Sequence, residues 1–349
     1  MSPTAGRTTV YNEITSEEKL KQVNPENLQL EEDFLEYLES VDRSKGTIKQ
    51  YRANLHIFWC WNLEFNKNKF FVELTKRELV KFQNHALNVW QWSPRRIRVV
   101  KATISSLSNF IESILDDEFE DYRSIIKKIE SPTNEAVREK SVFTQEELQP
   151  LLNTLVENKD YMKACVLALA MYSGRRKAEL TRFKVSYFTD ENLLFGGSLY
   201  KSPEKIKTKG RGTKGKLLEV YVLAKPFKPY LDLWLEEREE LGIKSDWLFP
   251  KYKNGEWLDE NIDTSTIDSY SRTYTRLLGK PFYPHSCRHM FCTMLLEQNL
   301  PESVVQDIIG WSSSEMVKLY DDRSKDSQLE KYFGEDGIKQ VETKGLSDL

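Results

Sequence analysis

The last third of the chain contains PHSCRHMFCTMLLEQNLPESVVQDIIGWSSSEMVKLY, the stretch from Pro284 to Tyr320 on which the interpretation of the fold rests. Apolar residues recur at helical intervals before and after Pro301, which predicts two consecutive helices, each with one buried face. Gly310 suits the position just past the end of the second helix. The capping-box spacing of Ser312 and Glu315 predicts a third, short helix at the end of the stretch.

Four side chains within this stretch are candidates for chemistry. His285 and Arg288 are three residues apart, so they project from the same face of the first helix. Trp311 follows the glycine at the predicted end of the second helix, and Tyr320 lies nine residues further on in the third. An imidazole, a guanidinium, an indole N–H and a phenol are therefore carried by one compact helical segment.

The composition favours a folded protein of two domains in a reducing compartment. The chain has 349 residues, of which 39% are hydrophobic, enough for sizeable cores. Its formal net charge of −3 is not a global nucleic-acid signature, so DNA contacts must come from local basic patches. The sequence shows neither paired cysteine spacing nor a membrane-spanning run nor a signal-peptide core. We therefore expect a cytoplasmic protein that makes no membrane contact.

The pattern of apolar residues predicts a mostly α-helical fold with a small antiparallel β-sheet. Residues 1–27 are polar and aperiodic, which predicts a flexible arm. Residues 28–130 show one amphipathic helix after another, joined by short loops, as in an antiparallel bundle. Residues 131–143 are predicted to form a linker, because Pro132 and its polar neighbours interrupt the periodicity. Residues 144–349 are predicted to form a second, α+β domain.

Cap residues mark the predicted helix starts in the first domain. Ser44, Thr75 and Ser93 each precede a periodic segment and can accept a hydrogen bond from its first turn. The helix after Ser93 begins with clustered basic residues, and basic side chains at a helix N-terminus suit phosphate. The alternative is an ordinary solvated helix face. The residues predicted to contact DNA here are Arg95, Arg96, Arg98 and Lys101.

The second domain is predicted to begin with a helix capped by Thr144. Residues 161–172 are apolar on nearly all sides, which predicts a central buried helix that ends at Gly174. Arg176 follows closely, and Glu179 lies one helical turn further on, where its carboxylate can orient the guanidinium. The alternative for Arg176 and Glu179 is a surface ion pair that contributes little.

Residues 193–223 are predicted to form strands around a lysine-rich turn. The segment YKSPEKIKTKGRGTKGK, residues 200–216, has seven basic residues against one acid. Such a hairpin can lie along a phosphate backbone and bring an ammonium group close to phosphorus; the alternative is an exposed solubilising loop. Helices are predicted to follow at about 226–240 and 266–278. The basic hairpin residues of interest are Lys207, Lys209, Arg211 and Lys214.

Together these residue types suit the cleavage of a phosphodiester. Arg176 and Arg288 can hold both non-bridging oxygens by forked hydrogen bonds, and His285 and Trp311 add further N–H donors. Such donors stabilise the charge that develops on the phosphoryl oxygens in the transition state. The hydroxyl of Tyr320 is then a fitting nucleophile, and a hairpin lysine can protonate the leaving 5′ oxygen. Nothing in this set requires a metal.

Three motifs connect these residues. Residues 285–289, HSCRH, match the pattern HxxRH, and residues 173–180, SGRRKAEL, match TGxRxxEL. Residues 309–320 match LG(H/W)xS…Y, with the tyrosine nine places after the tryptophan. With these motifs in this order, the sequence resembles the tyrosine recombinases, the phage-type integrases, over about residues 145–333. The helical domain before it resembles that family in its general layout.

The resemblance implies an N-terminal helical core-binding domain of the SAM-like type and a catalytic domain, which together grip double-stranded DNA. It implies strand cleavage and rejoining through a 3′-phosphotyrosine without metal or ATP, by a homotetramer on two DNA sites. A C-terminal tail, anchored by Tyr332 and Phe333, would contact a neighbouring protomer. The implied site comprises Arg176, His285, Arg288 and Trp311 on the phosphate, Glu179 as support, Tyr320 as nucleophile and Lys209 as general acid.

The sequence leaves several alternatives open. Arg175 is an alternative to Arg176 as the phosphate-binding arginine. Lys207 and Lys214 are alternatives to Lys209 as the general acid. A type IB topoisomerase uses a similar constellation but relaxes DNA as a monomer, and a non-catalytic DNA-binding protein would form no covalent adduct. A zinc site on the two histidines of HxxRH lacks the HExxH glutamate and the ligand number that zinc usually requires.

Overall fold

The computed structural model describes residues 11–133, 143–208 and 216–323, and the backbone of the short strands at 333–334 and 337–338. The chain divides into two compact units, and the first gives way to the second between residues 133 and 143. None of the helices in the described ranges combines the length and hydropathy needed to cross a lipid bilayer. The predictions for Lys209, Arg211, Lys214, Tyr332 and most of the linker lie outside the described residues.

The first unit is helical. Its long helices are α1 (Pro25–Ser40), α2 (Lys45–Phe65), α3 (Lys76–Asn88) and α4 (Pro94–Ile114). The hydroxyls of Ser44, Thr75 and Ser93 accept hydrogen bonds from the first turns of α2, α3 and α4, so the three predicted caps are confirmed. Each helix turns its apolar stripe inward to form the core of this unit.

The segment before α1 packs against this core. A short helix spans Glu17–Leu20, and the side chains of Ile14 and Val23 are buried. The hydroxyl of Tyr11 lies 2.9 Å from Nδ1 of His56 in α2. The apolar residues here are too few and too widely spaced to produce a helical period in the sequence. The prediction of a flexible arm is therefore wrong for the part of this segment that the structure describes.

The second unit combines helices with short strands. Its helices are α5 (Gln145–Glu157), α6 (Tyr161–Ser173), α7 (Lys177–Leu180), α8 (Ala224–Glu240), α9 (Thr264–Leu278), α10 (Pro284–Glu297), α11 (Glu302–Ile309) and α12 (Glu315–Tyr320). Helix α6 lies at the centre, buried from Ala164 to Ser173, and packs against α5, α8 and α10. The prediction of a central buried helix in this domain is confirmed.

The strands pair in antiparallel fashion. They are β1 (Leu193–Leu194), β2 (Leu199–Lys201), β3 (Ile206–Lys207), β4 (Leu217–Leu218), β5 (Tyr221–Leu223), β6 (Pro250–Lys253), β7 (Glu256–Asn261), β8 (Phe333–Gly334) and β9 (Gly337–Ile338). One sheet has the order β1–β2–β5, and the pairs β3–β4, β6–β7 and β8–β9 stand separately. The predicted strands between residues 193 and 223 are confirmed. The β6–β7 hairpin was not predicted, although its Asn254-Gly255 turn is a strong hairpin signal.

The start of α12 differs from the prediction. Ser314 precedes the helix with an α-helical backbone and makes no side-chain cap. The hydroxyl that reaches the first turn belongs to Ser313, which accepts a hydrogen bond from the backbone N–H of Glu315 at 3.2 Å. The predicted capping box of Ser312 with Glu315 is therefore wrong, because the neighbouring hydroxyl takes that place.

Gly174 ends α6 and determines how closely α10 approaches it. Its φ of +58° is left-handed, and a methyl group built on it would lie 2.6 Å from Cδ1 of Phe291, a fully buried ring of α10. We expect Gly174→Ala to lower the free energy of unfolding by about 2–5 kcal/mol, because left-handed strain and overpacking add. Urea unfolding followed by circular dichroism measures this loss.

Gly279 provides the matched control for this prediction. It ends α9 with a φ of +68°, but an added methyl group would meet no atom within 4 Å. We therefore expect Gly279→Ala to lose only about 1–2 kcal/mol, from backbone strain alone. Equal losses for the two variants would contradict the close packing of α6 against α10.

Candidate active site

Helix α10 carries the first two candidate residues. His285 lies in its first turn and is exposed, whereas Arg288, one turn later, is completely buried. The Nη1 atom of Arg288 donates to the carbonyl oxygen of Gly174 at 2.9 Å, and Nη2 donates to that of Ile309 at 3.5 Å. Its Nε–H is buried and has no hydrogen-bond partner among the described residues. Backbone carbonyls at two helix ends thus fix the guanidinium.

Tyr320 lies against the same helix at the end of α12. Its hydroxyl oxygen is 2.6 Å from Nε2 of His285. The centroid of its ring is 4.8 Å from that of Trp311 and 6.0 Å from the guanidinium carbon of Arg288. The ring also stacks on that of His289, with the centroids 4.3 Å apart. The phenol therefore lies beside the imidazole and guanidinium of its own protomer.

Trp311 is held at the edge of this cluster by the end of α11. Gly310 takes a left-handed φ of +77°, which glycine adopts without strain, and turns the chain so that Trp311 points inward. The indole is 6% exposed, and its ring centroid is 5.0 Å from the guanidinium carbon of Arg288. Its Nε1–H is buried and has no partner in the described residues. Arg288 and Trp311 thus hold two unsatisfied donors close together.

The two consecutive arginines after α6 have different surroundings. Arg176 is about one-third exposed; its Nη1 donates to Oε1 of the buried Glu179 at 3.0 Å, and its backbone N–H donates to Oε2 at 3.1 Å. Arg175 is buried and donates to the carbonyl oxygens of Ile308 and Ile309 at the end of α11. Arg176 therefore faces the open side of the site, whereas Arg175 caps α11. Sequence reasoning did not find this capping role.

Positive charges dominate this cluster. Burial, followed by the charges of Arg176 and Arg175, lowers the pKa of Arg288 to about 9, while the carboxylate of Glu179 acts in the opposite direction. Mutually repelling guanidiniums close to one carboxylate favour an anion in their midst. An arrangement of this kind can stabilise negative charge that develops on a bound oxyanion.

His285 is expected to be neutral in the free protein at pH 7. Although the residue is exposed, its ring lies against Tyr320 and is partly desolvated; this desolvation, followed by the charges of His289, Arg288 and Arg176, lowers its pKa to about 4, and Glu179 opposes the shift. Between pH 4 and 6.5 the unfolded chain binds a proton here that the folded chain does not. This histidine therefore makes stability rise with pH across that window.

An NMR titration of the imidazole protons tests this prediction. The chain has four histidines, and His285→Gln identifies which signal belongs to this residue. We expect a midpoint near pH 4 in the free protein and a higher midpoint once duplex DNA supplies phosphate charge. A midpoint at or above the ordinary 6.5 in the free protein would contradict the cationic surroundings described here.

The base of the lysine-rich hairpin contacts the turn that carries Trp311. Nζ of Lys216, at the start of β4, donates to the carbonyl oxygen of Gly310 at 3.1 Å. Lys207 lies on β3 and is half-buried, and its carbonyl oxygen accepts a hydrogen bond from Arg182. The first strand of the hairpin is thus bound to Arg182, and the second begins at the turn before Trp311. Lys216 was not singled out by the sequence analysis.

The four basic residues predicted to contact DNA from α4 have different surroundings: the three arginines are at least partly accessible, whereas Lys101 is buried. Arg95 and Arg98 are exposed on the first two turns of α4. Arg96 places its guanidinium carbon 5.0 Å from the ring centroid of Trp92, and Arg98 donates to the carbonyl oxygen of Pro132 at 2.9 Å. The three arginines therefore present cationic groups at the start of this helix.

Lys101 is buried, whereas the sequence predicted an accessible side chain in contact with DNA. It is 7% exposed, and its ammonium group donates to Oε1 of Gln83 and to the carbonyl oxygens of Ile129 and Glu130, at 2.8 to 3.1 Å. Its three hydrogen bonds fasten the end of this unit to α4. The predicted DNA contact of Lys101 is replaced by this structural role, because its position falls on the buried stripe of α4.

The described residues contain no set of side chains arranged to bind zinc. The rings of His285 and His289 lie 5.9 Å apart and are engaged by Tyr320 and by a carboxylate, respectively. Cys287 and Cys292 are buried in the core. Within the described ranges no group of three or more histidine, cysteine, aspartate or glutamate side chains converges as metal ligands would.

Two family models match the chain. The model described as the phage integrase family matches residues 141–327, which is more than half of the chain. The model of the phage integrase N-terminal SAM-like domain matches residues 30–121. The chain therefore belongs to the phage integrase family and is an enzyme of the tyrosine recombinase class.

Individual relatives agree with this assignment. The chain is 28% identical over 289 residues to the SPbeta prophage-derived recombinase-like protein YomM of Bacillus subtilis (strain 168), covering 82% of this chain and 83% of that protein. It is 24% identical over 297 residues to tyrosine recombinase XerA of Pyrococcus horikoshii, covering 84% and 89%.

Solved structures show the same fold. One is the lambda integrase (75-356) dimer bound to a COC′ core site, with a TM-score of 0.60 at 15% identity, covering 85% of this chain and 96% of that one. Another is the XerH site-specific recombinase bound to palindromic difH substrate in a post-cleavage complex, with a TM-score of 0.58 at 20% identity, covering 81% and 78%. The predicted fold class, a helical domain followed by an α+β catalytic domain, is confirmed.

Proposed function

We propose that this protein is a site-specific DNA recombinase that cleaves and rejoins strands through a 3′-phosphotyrosine on Tyr320. The observation that carries this proposal is the phenol oxygen 2.6 Å from Nε2 of His285, beside two buried donors, Arg288 Nε and Trp311 Nε1, that have no partner in the part of the chain that the structure describes. Buried N–H groups normally have partners, and phosphodiester oxygens fit such donors. The similarity to XerA, which is named a tyrosine recombinase, supports the same substrate class.

The bond changes follow from the placement of these groups. The Tyr320 oxygen attacks the phosphorus, the bond from phosphorus to the 5′ oxygen breaks, and the tyrosine proton passes to Nε2 of His285. Arg176 and Arg288 hold the non-bridging oxygens, and Trp311 donates to one of them. These contacts stabilise the pentacoordinate transition state more than the ground state, which is what accelerates cleavage.

The leaving 5′ oxygen needs a proton, and we assign it to a lysine of the β3–β4 hairpin. Lys209 is our choice, with Lys207 and Lys214 as alternatives. The hydrogen bond from Lys216 to the carbonyl oxygen of Gly310 supports this role, because it ties the start of the returning strand to the turn before Trp311. In the reverse step the same lysine removes the proton from an incoming 5′-hydroxyl.

The cycle as proposed needs neither metal nor ATP. The phosphotyrosine conserves the free energy of the broken phosphodiester, so a 5′-hydroxyl from a second strand can attack it and restore a DNA backbone. Cationic side chains supply the charge stabilisation that a metal supplies in other phosphoryl-transfer enzymes. Glu179 keeps the guanidinium of Arg176 in place, through the hydrogen bond at 3.0 Å.

We further propose that double-stranded DNA is bound by both units and that four protomers assemble on two sites. A tail contact through Tyr332 and Phe333 would join neighbouring protomers. The lambda integrase tetramer bound to a Holliday junction, with a TM-score of 0.60 to this chain, supports the assembly by analogy of fold. The proposed DNA contacts are Arg95, Arg96 and Arg98 on α4, and Lys207, Arg211 and Lys214 on the hairpin.

Nicked duplexes test this function. Oligonucleotide duplexes from the DNA junctions that border the coding sequence carry a nick close to each candidate cleavage point, so that the short 5′-hydroxyl fragment diffuses away after attack. We expect an adduct that survives SDS and forms equally well in EDTA. An adduct that requires a divalent ion, or no adduct on any duplex, would contradict the proposal.

Two plasmid substrates distinguish a recombinase from a type IB topoisomerase. A plasmid with two sites should yield deletion or inversion products if the protein exchanges strands between sites. Relaxation of a supercoiled plasmid with no product from the two-site plasmid would favour the topoisomerase. Binding without any covalent adduct would favour a DNA-binding protein that is not an enzyme.

A further inference from the structure

The chain after the nucleophile runs along one face of α10. His289, Thr293 and Leu296 are spaced by four and three residues, so they follow His285 along a single side of this helix. The side chains of His285, His289 and Thr293 and the backbone carbonyl of Leu296 contact successive parts of residues 320–323. This face of α10 thus contacts both the hydroxyl and the backbone of Tyr320.

Several contacts fasten the residues beyond the tyrosine. Nδ1 of His289 lies 2.9 Å from Oδ2 of Asp322, and both side chains are about 15% exposed. The hydroxyl of Thr293 donates to the carbonyl oxygen of Tyr320 at 3.3 Å and accepts from the backbone N–H of Asp322 at 3.2 Å. These bonds hold the backbone on both sides of the nucleophile.

A second ion pair completes the attachment. Arg323 makes a forked pair with Asp321, with both N···O distances at 2.8 Å, and its Nη1 donates to the carbonyl oxygen of Leu296 at 3.0 Å. Asp321 thus pairs with Arg323, and Asp322 pairs with His289. The imidazole of His289 thereby contacts the nucleophile ring on its face and the following residue through Nδ1.

We infer that His289 and Asp322 are positioning residues that hold Tyr320 in the phosphate site of its own protomer. This inference rests on the proposed function. The ring stack fixes the plane of the phenol, the His289–Asp322 pair fixes the chain just beyond it, and Thr293 fixes the backbone between them. These contacts all lie within residues 285–323. Small misplacements of a reacting atom cost about 100-fold in rate, which makes such a restraint valuable.

Single-turnover adduct formation on the nicked duplexes provides the catalytic test. We expect Asp322→Asn and His289→Asn each to slow the rate at saturating DNA by about 10- to 100-fold, with the DNA affinity unchanged. The double variant should be no slower than the slower single variant, because the two residues act as one pair. The control is Glu315→Gln, an exposed acid at the start of the same short helix, which should leave the rate unchanged.

A readout without DNA distinguishes failure of this inference from failure of the proposed function. We place 3-fluorotyrosine at position 320 and record its fluorine resonance in the free protein. The stacked imidazole should shift that resonance from the value of free fluorotyrosine, and Asp322→Asn should move it back towards that value. An unmoved resonance together with unchanged adduct rates would overturn the inference. A moved resonance with no adduct in the wild type would support the positioning role of His289 and Asp322 and overturn the recombinase mechanism instead.

Discussion

Tyr320→Phe is expected to form no covalent adduct with any nicked duplex. The substitution removes the oxygen that lies 2.6 Å from Nε2 of His285 while leaving the ring in contact with Trp311 and His289. Without that oxygen the phosphorus has no nucleophile, so we expect loss of cleavage rather than a graded decrease. The lost hydrogen bond should lower stability by no more than about 0.5–1.5 kcal/mol, and DNA affinity should be retained.

Tyr283→Phe is the matched control for this substitution. Tyr283 is a 43% exposed phenol just before α10, and it lies two residues before His285 in the sequence. We expect wild-type adduct formation for this variant. Denaturing gels with labelled DNA measure both variants. An adduct formed by Tyr320→Phe at a rate near that of the wild type would show that another residue attacks the DNA.

The second large effect is expected for Arg288→Met. Methionine has a similar length and suits a buried site, but it removes the Nε donor and the positive charge next to Tyr320. Loss of one such transition-state donor typically costs about 100- to 1,000-fold in rate. We therefore expect at least that decrease in single-turnover cleavage, with retained binding of duplex DNA.

Arg175→Met separates this chemistry from structural damage. Arg175 is also buried, and like Arg288 it donates to the end of α11, but in our proposal it does not contact the phosphate. Both variants should change the thermal midpoint similarly, whereas Arg175→Met should slow cleavage by no more than about tenfold. If the two variants slow cleavage equally, the effect of Arg288 is structural and its proposed role on the phosphate is wrong.

The sequence predicted the parts of the fold that depend on local signals. A cap such as Ser44 or Thr75 acts within one helical turn, and the left-handed glycines Gly174 and Gly310 act at a single residue. These signals can be recognised without knowing what the segment packs against. The spacing of His285 and Arg288 likewise fixed their common helix, and the structure adds the hydrogen bond between His285 and Tyr320.

What the sequence did not predict depends on tertiary contacts. Lys101 follows Val100 on the buried side of α4, and its acceptors, Oε1 of Gln83 and the carbonyls of Ile129 and Glu130, are distant in sequence and explain a lysine there. Arg175 is similarly explained by the end of α11, which lies more than a hundred residues away in the chain. Propensity and spacing contain no information about such partners.

The His289–Asp322 pair illustrates a signal that was present but incomplete. The HSCRH motif includes His289, yet its partner lies 33 residues later, beyond the nucleophile. Spacing within one helix identifies the face that His289 shares with His285 and Thr293. It does not identify what covers that face, and the structure supplies this information.

The central claim is tested most directly by identifying the protein–DNA bond. The adduct from a nicked duplex is digested with trypsin and nuclease, and mass spectrometry locates the nucleotide on the peptide. We predict a nucleotide joined through its 3′-phosphate to the oxygen of Tyr320, with a free 5′-hydroxyl on the released strand. A nucleotide joined through its 5′-phosphate, or joined to any other residue, would contradict this account.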